Sequence, residues 1–453
     1  MSDVIAAVST GRQVAAIGIL RLSGDGAAEV LSRVFRAKCG RPMTEAPDRK
    51  MLLGCLLDEK GRVIDEALAV VARAPRSYTG EDTAEIHCHG SPAVLAAGLT
   101  ALFAAGARQA APGEFTRRAF LNGRMDLSQA EAVADLIDAE TADAAANAAG
   151  QLGGAVRRRV EPVAGRLTDL CAHFHAVIDY PDEDIEPFAL RRYADSLAAD
   201  RASLRAMQGS FSRGQILRGG LRTVIVGRPN VGKSSLLNAL AGFDRAIVTD
   251  IPGTTRDTVT ESVRLGPLLL RLTDTAGIRA AAGAVEQLGV ARAEAAAAEA
   301  QLALCVFDAS RPLTDEDRRA LAAAAKAETA VAVLNKSDLP ARLTGADVPL
   351  SPAVAVSAKT GAGLDALAGA VTRLWGAETP CDGSILTNAR QAGAVGRAAD
   401  ALERAEASMR AGMTPDAVLV DVEDALAALG EITGGTVRED ITDRIFSRFC
   451  VGK

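Results

Sequence analysis

The residues Gly227-Arg-Pro-Asn-Val-Gly-Lys-Ser234 have the spacing G-x-x-x-x-G-K-S, which cradles phosphate. Gly227 and Gly232 let the backbone approach an anion, and the N–H groups at a helix start then point at it. Lys233 brings a point charge to the β and γ phosphates, and the Ser234 hydroxyl can ligate Mg²⁺. Asn230, Val231 and Ser235 complete the cradle. The β-branched run at 223–226 predicts the strand that enters it, and residues 233–241 predict the helix that leaves it.

Three further motifs follow in order. Asp274-Thr275-Ala276-Gly277 ends a run that reads as a strand. Its Asp can hold Mg²⁺ through water, and the Gly277 amide can meet a γ-phosphate. Asn335-Lys336-Ser337-Asp338 offers a carboxylate to guanine N1 and N2, a pair of donors adenine lacks. Ser357-Ala358-Lys359 offers a backbone N–H to the guanine oxygen. Each motif closes a strand, where open α/β sheets bind ligands. The base expected is guanine, and the activity expected is GTP hydrolysis.

In small signalling GTPases a Gln after Asp-Thr-Ala-Gly orients the attacking water. Ile278 stands there and cannot. Glu286 is a candidate for that work, and a solvated helix residue is its other reading. No arginine finger can be identified. The Asn230 side-chain carbonyl could instead bind a monovalent cation, which would neutralise developing charge. The loop Thr249-Asp250-Ile251-Pro252-Gly253-Thr254-Thr255 could close over it, with Thr255 as the second Mg²⁺ hydroxyl.

These residues need a scaffold. Runs at 221–226, 259–265, 268–273, 302–308, 330–334 and 354–357 predict strands alternating with helices, hence a mostly parallel sheet covered on both faces. Residues 218–376 are therefore read as a nucleotide-binding domain. Residues 1–120 read as mixed α/β, with strands at 14–22 and 67–72. A strand at 83–89 places Ala84, Ile86 and Cys88 on one face and Glu85, His87 and His89 on the other. Residues 121–217 are helical, with Val160, Val163, Leu167, Leu170, Phe174 and Val177 as a core-facing stripe. Residues 377–453 are helical again, with helices at 387–411 and 415–429. The two helical stretches are expected to pack together, with the nucleotide domain inserted between them.

Composition narrows the class. In 453 residues, 48% are apolar, 24% charged and 3% aromatic, so Ala, Leu, Val and Ile must build the cores. A net charge of -6 gives no global sign of nucleic-acid binding. The scattered cysteines form no disulfide framework, which fits a reducing, cytoplasmic setting. No signal peptide and no run of about 18 apolar residues is seen, so no membrane span is expected. The paired and tripled arginines 117–118, 157–159 and 191–192 read as solvated faces.

The chain resembles the MnmE (TrmE) family of bacterial tRNA modification GTPases along its whole length. The resemblance rests on Gly18-Ile-Leu-Arg21, Ser77-Tyr-Thr-Gly-Glu-Asp82, the stretch from Pro112 to Arg124, the nucleotide motifs, and the terminal Phe449-Cys-Val-Gly-Lys453. Nucleotide motifs alone would also fit a ribosome-assembly GTPase acting as an RNA-binding switch. The N- and C-terminal signatures single out this family. It implies an N-terminal α/β folate-binding and dimerisation domain, a discontinuous helical domain, and an inserted Ras-like G domain. It implies a potassium-stimulated GTPase that acts as a homodimer. With a flavin-containing partner, MnmG (GidA), in a heterotetramer, it installs a one-carbon unit and an amino group at C5 of the wobble uridine of certain tRNAs. The unit would come from 5-formyl- or 5,10-methylene-tetrahydrofolate. By the same resemblance Arg21, Glu85, Arg124 and Lys453 would contact the folate. Asn230, Thr249, Ile251 and Thr254 would hold K⁺, and Glu286 would be the general base. Cys450 is a residue of possible chemistry. The chain departs from the family where Gly11-Arg-Gln-Val-Ala-Ala16 replaces a Gly-rich stretch, and where Pro252 replaces a frequent Ala.

Overall fold

The computed structural model describes residues 3–11, 13–179, 187–243, 261–273, 294–375, 381–436, 439–447 and 449–452. The chain divides into two compact units. One comprises Met1–Ala134, Leu152–Pro187 and Ala407–Lys453, the other Asp135–Gln151 and Phe188–Glu406.

The strands of the first unit are β1 Ile5–Val8, β2 Ala15–Ser23, β3 Phe35–Ala37, β4 Leu52–Leu57, β5 Val63–Ala72, β6 Thr83–Gly90 and β7 Arg108–Gln109. Among the described residues they form one sheet in the order β3-β4-β5-β6-β2-β1-β7. Neighbours are antiparallel, except that β1 and β7 run parallel. Alternation decides the faces. Leu20, Leu22, Ala69, Val71, Ala84 and Ile86 turn inward and share a core with Leu31, Leu95 and Leu102 of the helices Ala27–Val34 and Pro92–Ala104. The opposite phase of β2 and β6 leaves Arg21 directly across from Glu85.

The expected amphipathic stripe lies on the helix Ala155–Asp179, where Val160, Val163, Leu167, Leu170 and Phe174 are buried and Val177 is half-buried. That helix packs against Pro415–Thr433, which buries Val418, Val422, Ala425 and Leu429. A short helix, Glu439–Phe446, follows. Phe446 stacks at 6.2 Å from Phe120 and 5.5 Å from Phe449, and both lie in a core with Leu127, Ala130 and Val133.

The reading of Arg117-Arg118 as a solvated face is corrected here. Arg118 is buried and pairs with Asp3, Glu81 and Glu114, and Arg117 pairs with Asp443. A guanidinium can leave water when several carboxylates replace its hydration. Arg157 is exposed, as expected, and pairs with Glu161.

The strands of the second unit are β8 Leu221–Val226, β9 Glu261–Leu265, β10 Leu268–Leu272, β11 Leu302–Asp308, β12 Thr329–Asn335 and β13 Ala353–Ala355. Their order is β13-β12-β11-β8-β10-β9 among the described residues. Among the described residues, only the β9–β10 pair is antiparallel in this sheet. Every residue of β11 is buried, because the sheet is covered on both faces. Leu302, Leu304 and Val306 join one core, and Ala303, Cys305 and Phe307 join the other. In the same unit Asn147 and Gln151 both donate to the Ile385 carbonyl, at 3.0 and 2.6 Å, and Thr387 donates to Asp135 at 2.7 Å. The segment that returns from the sheet is thereby pinned to the helix Ala142–Leu152. Among the described residues, no helix is long and apolar enough to cross a membrane.

Candidate functional site

The phosphate loop lies between β8 and the helix Lys233–Phe243. Its backbone is one that few residues adopt. Gly232 has φ 100°, and a Cβ there would strike the Asn335 amide, so glycine is required on both counts. Asn230 also lies in the left-handed region, at φ 63°, which Asn tolerates better than most residues. Lys233 Nζ donates to the carbonyls of Gly227 and Arg228 at 2.8 and 2.9 Å. Burial lowers its pKa. The Leu236 N–H is taken by Gly232 at 2.8 Å, which starts the helix at the loop. Val231 is buried, while Ser234 and Ser235 stand at the first helical positions.

The residues expected to read the base converge on the same loop. Asn335, at the end of β12, donates through Nδ2 to the Val231 carbonyl at 2.8 Å. Its Oδ1 accepts from the Ala358 N–H at 3.0 Å. Lys336 donates to the Asn230 carbonyl at 3.0 Å and to Asp308 at 2.6 Å. Asp308 is held below the usual carboxylate range. Burial opposes this, and the Lys336 and Ser310 contacts outweigh burial. Asp338 is aimed by the Ser357 hydroxyl at 2.7 Å. That hydrogen bond is the largest cause of its lowered pKa, with smaller help from Lys359 and Lys336. The carboxylate is therefore ionised and oriented, as an acceptor of two N–H donors must be. The structure brings together Asn230, Val231, Gly232, Lys233, Asn335, Lys336, Asp338, Ser357 and Ala358. Thr249, Asp250, Ile251, Pro252, Gly253, Thr254, Thr255, Asp274, Thr275, Ala276, Gly277 and Glu286 lie outside the described residues.

The first unit holds a second cluster. Arg21 Nε donates to Glu85 at 2.8 Å, and the other Glu85 oxygen meets His87 Nε2 at 3.0 Å. The Arg21 guanidinium lies 5.7 Å from the Tyr78 ring and 6.0 Å from the Phe115 ring, both cation–π distances. Tyr78 bonds Thr116 at 3.0 Å, and Arg124 donates to the neighbouring Ser77 carbonyl at 3.1 Å. The C-terminal tail reaches the same place. Val451 pairs with Pro112 and packs on Ile5, Ala7, Ala110 and Phe115. The Gly452 carbonyl accepts from Ser9 at 3.1 Å. Gly452 has φ 102°, and a Cβ there would strike the Val8 carbonyl. Cys450 is exposed beside it, and Lys453 lies outside the described residues. The result is a cation, two aromatic rings and a carboxylate at one place, suited to a flat heterocycle that carries both charge and hydrogen-bonding edges. Sequence reasoning missed Tyr78, Phe115 and His87 as members. Tyr78 and Phe115 stood inside the quoted motifs, but nothing in the sequence placed their rings beside Arg21.

Two family models match the chain: the MnmE helical domain over residues 127–450, and the GTP-binding protein TrmE N-terminus over residues 4–124. The protein from Symbiobacterium thermophilum named tRNA modification GTPase MnmE is 46% identical, over 100% of this chain and 99% of that protein. Its namesake from Chloroflexus aurantiacus is 46% identical, over 100% of both. Among solved structures, the G domain of the T. maritima FeoB iron transporter matches 34% of this chain and 97% of its own, at 22% identity and a TM-score of 0.26.

Proposed function

Because the chain belongs to the MnmE family of tRNA modification GTPases, we propose that it is a potassium-stimulated GTPase acting on the wobble uridine of certain tRNAs. With a flavoprotein partner it adds an aminomethyl or carboxymethylaminomethyl group at C5, using a one-carbon unit of a reduced folate. The observation that supports the nucleotide half most is the double tie of the base-reading segment to the phosphate loop, Asn335 to Val231 and Lys336 to Asn230. Both segments are thereby held against one loop.

Roles follow from side-chain chemistry. Lys233 exchanges two loop carbonyls for phosphate oxygens. Asp338 reads guanine N1 and N2, while Ser357 keeps its carboxylate aimed. The Ser234 and Thr255 hydroxyls are hard oxygen donors of the kind Mg²⁺ takes. The oxygens of Asn230, Thr249, Ile251 and Thr254 suit K⁺, and the left-handed turn at Asn230 holds that residue in the loop. Both cations supply positive charge beside the phosphates. Glu286 orients the water, since Ile278 offers no hydrogen bond. In the first unit Arg21, Glu85, Arg124 and Lys453 bind the folate, and Cys450 is placed beside them. Residues 1–120 form the folate and dimerisation domain. Residues 121–217 and 377–453 form the helical domain around a G domain at 218–376. The assembly is a homodimer, joined by the flavoprotein in a heterotetramer, in the cytoplasm.

Single-turnover hydrolysis in K⁺ and in Na⁺ tests the nucleotide half. The rate in K⁺ should exceed that in Na⁺ by about 10²-fold, the effect of one charge-stabilising element. Glu286→Ala should lower kcat and leave GTP affinity almost unchanged. Equal rates in the two salts contradict the cation, and a fully active variant contradicts Glu286.

A further inference from the structure

We propose that Arg228 and Asp317 are a positioning pair that holds the phosphate loop in its nucleotide-ready shape. The inference rests on reading that loop as the GTP site. Arg228 is the second residue of the loop. Its Nε lies 3.1 and 3.2 Å from the two carboxylate oxygens of Asp317, and the two side chains are only 11% and 4% exposed.

Asp317 is itself fixed. The Thr314 N–H and hydroxyl donate to its Oδ2 at 3.0 and 2.7 Å, and its own N–H donates to the Thr314 hydroxyl. This is the capping box of the helix Asp315–Ala324, which follows β11. The carboxylate is thus anchored to a rigid helix start, and Arg228 is anchored to the carboxylate.

The need for such an anchor arises from Lys233. Its ammonium donates to the carbonyls of residues 227 and 228. Phosphate oxygens would compete with these carbonyls for its three N–H donors. Asn335 and Lys336 keep their hold on Val231 and Asn230, but these lie at the far shoulder of the loop. Asp317 keeps the near shoulder in place through Arg228. A loop already in its bound shape loses less ordering entropy on binding. The pair acts through the backbone and touches no phosphate itself, so it should hold ground state and transition state alike.

The test uses the full chain with fluorescent GDP and GTP. Asp317→Asn keeps an oxygen for the Thr314 cap but removes the charge. Arg228→Gln removes the other half. Each should weaken GDP and GTP binding by roughly tenfold, and the double variant should be no worse than either alone. KM for GTP should rise while kcat at saturation stays within about twofold. Val371→Ala opens a cavity in the core of the same unit, away from the pair, and lowers Tm, yet it should leave nucleotide affinity unchanged. Single-variant effects that simply add, or affinity that follows Tm across all the variants, overturn the pair. A wild-type protein that binds no guanine nucleotide overturns the reading of the site itself, and this inference with it.

Discussion

The proposed function gives Asp338 the choice of base, and its setting sets the size of the effect expected. Its carboxylate is exposed to an incoming base and held by one hydroxyl, Ser357. Asp338→Asn exchanges an acceptor oxygen for a donor N–H₂ that faces the donors of guanine. GTP affinity should fall by about 10- to 100-fold, as for a lost charged hydrogen bond. Equal affinity by titration contradicts the assignment. Glu85 gives a different test. Burial pushes its pKa up, but the charge of Arg21 and the hydrogen bonds of His87 and Arg21 bring it below the usual carboxylate range. Its stabilising effect is therefore complete above the ordinary range of an unfolded glutamate. It is lost as pH falls through the lowered folded value. Thermal melts from neutral pH to about pH 3 should show that Glu85→Gln flattens part of the acid-side loss of stability. An unchanged pH slope rules the contribution out. Asp338 was legible in the sequence because its motif is contiguous. The ion pairs of Arg118 were not, because Asp3 and Glu81 come from distant positions.

At the scale of elements, long regular patterns were readable and short ones were not. β11 announced itself as an unbroken apolar run, and the helix Ala155–Asp179 as a stripe. β1, β3, β4 and β7 did not, since strands of four, three, six and two residues take their meaning from partners elsewhere in the chain. β13 was read slightly late, at 354–357, because its apolar run continues past the last ladder pair into the turn at Ser357. The docking of the tail was equally hidden, although the tail sequence itself stood out. Phe446 anchors it, almost fully buried between Phe120 and Phe449. Phe446→Ala should destabilise the first unit by about 3–5 kcal/mol, the cost of emptying an aromatic core site. Gly452→Ala is milder for the fold but should lift the tail from Val8, since φ 102° and the Val8 carbonyl both exclude a Cβ. Calorimetry with a reduced folate should then show weaker binding with unchanged GTP affinity. Folate binding equal to wild type removes the tail from the site.

The described residues carry two candidate sites, one in each unit. In the second unit Asn230, Lys233, Asn335, Lys336, Asp338 and Ser357, singled out as short contiguous motifs, are brought together among the described residues, while Thr249 to Thr255, Asp274 to Gly277 and Glu286 lie outside them. The cluster around Arg21 was legible only through resemblance, because its rings and charges come from β2, β6, the turn at Ser77, the helix Glu114–Leu121 and the tail. The chain is 46% identical over its full length to a protein named tRNA modification GTPase MnmE, and the proposed function assigns both sites to one activity. The most direct measurement is mass spectrometry of tRNA nucleosides from a strain that lacks this protein, complemented with wild type, Asp338→Asn or Arg21→Ala. The account predicts that C5-substituted wobble uridine disappears in the deletion, returns with wild type, and stays low with either variant. A deletion strain with unchanged wobble uridine, or one altered only in ribosome assembly, would contradict it.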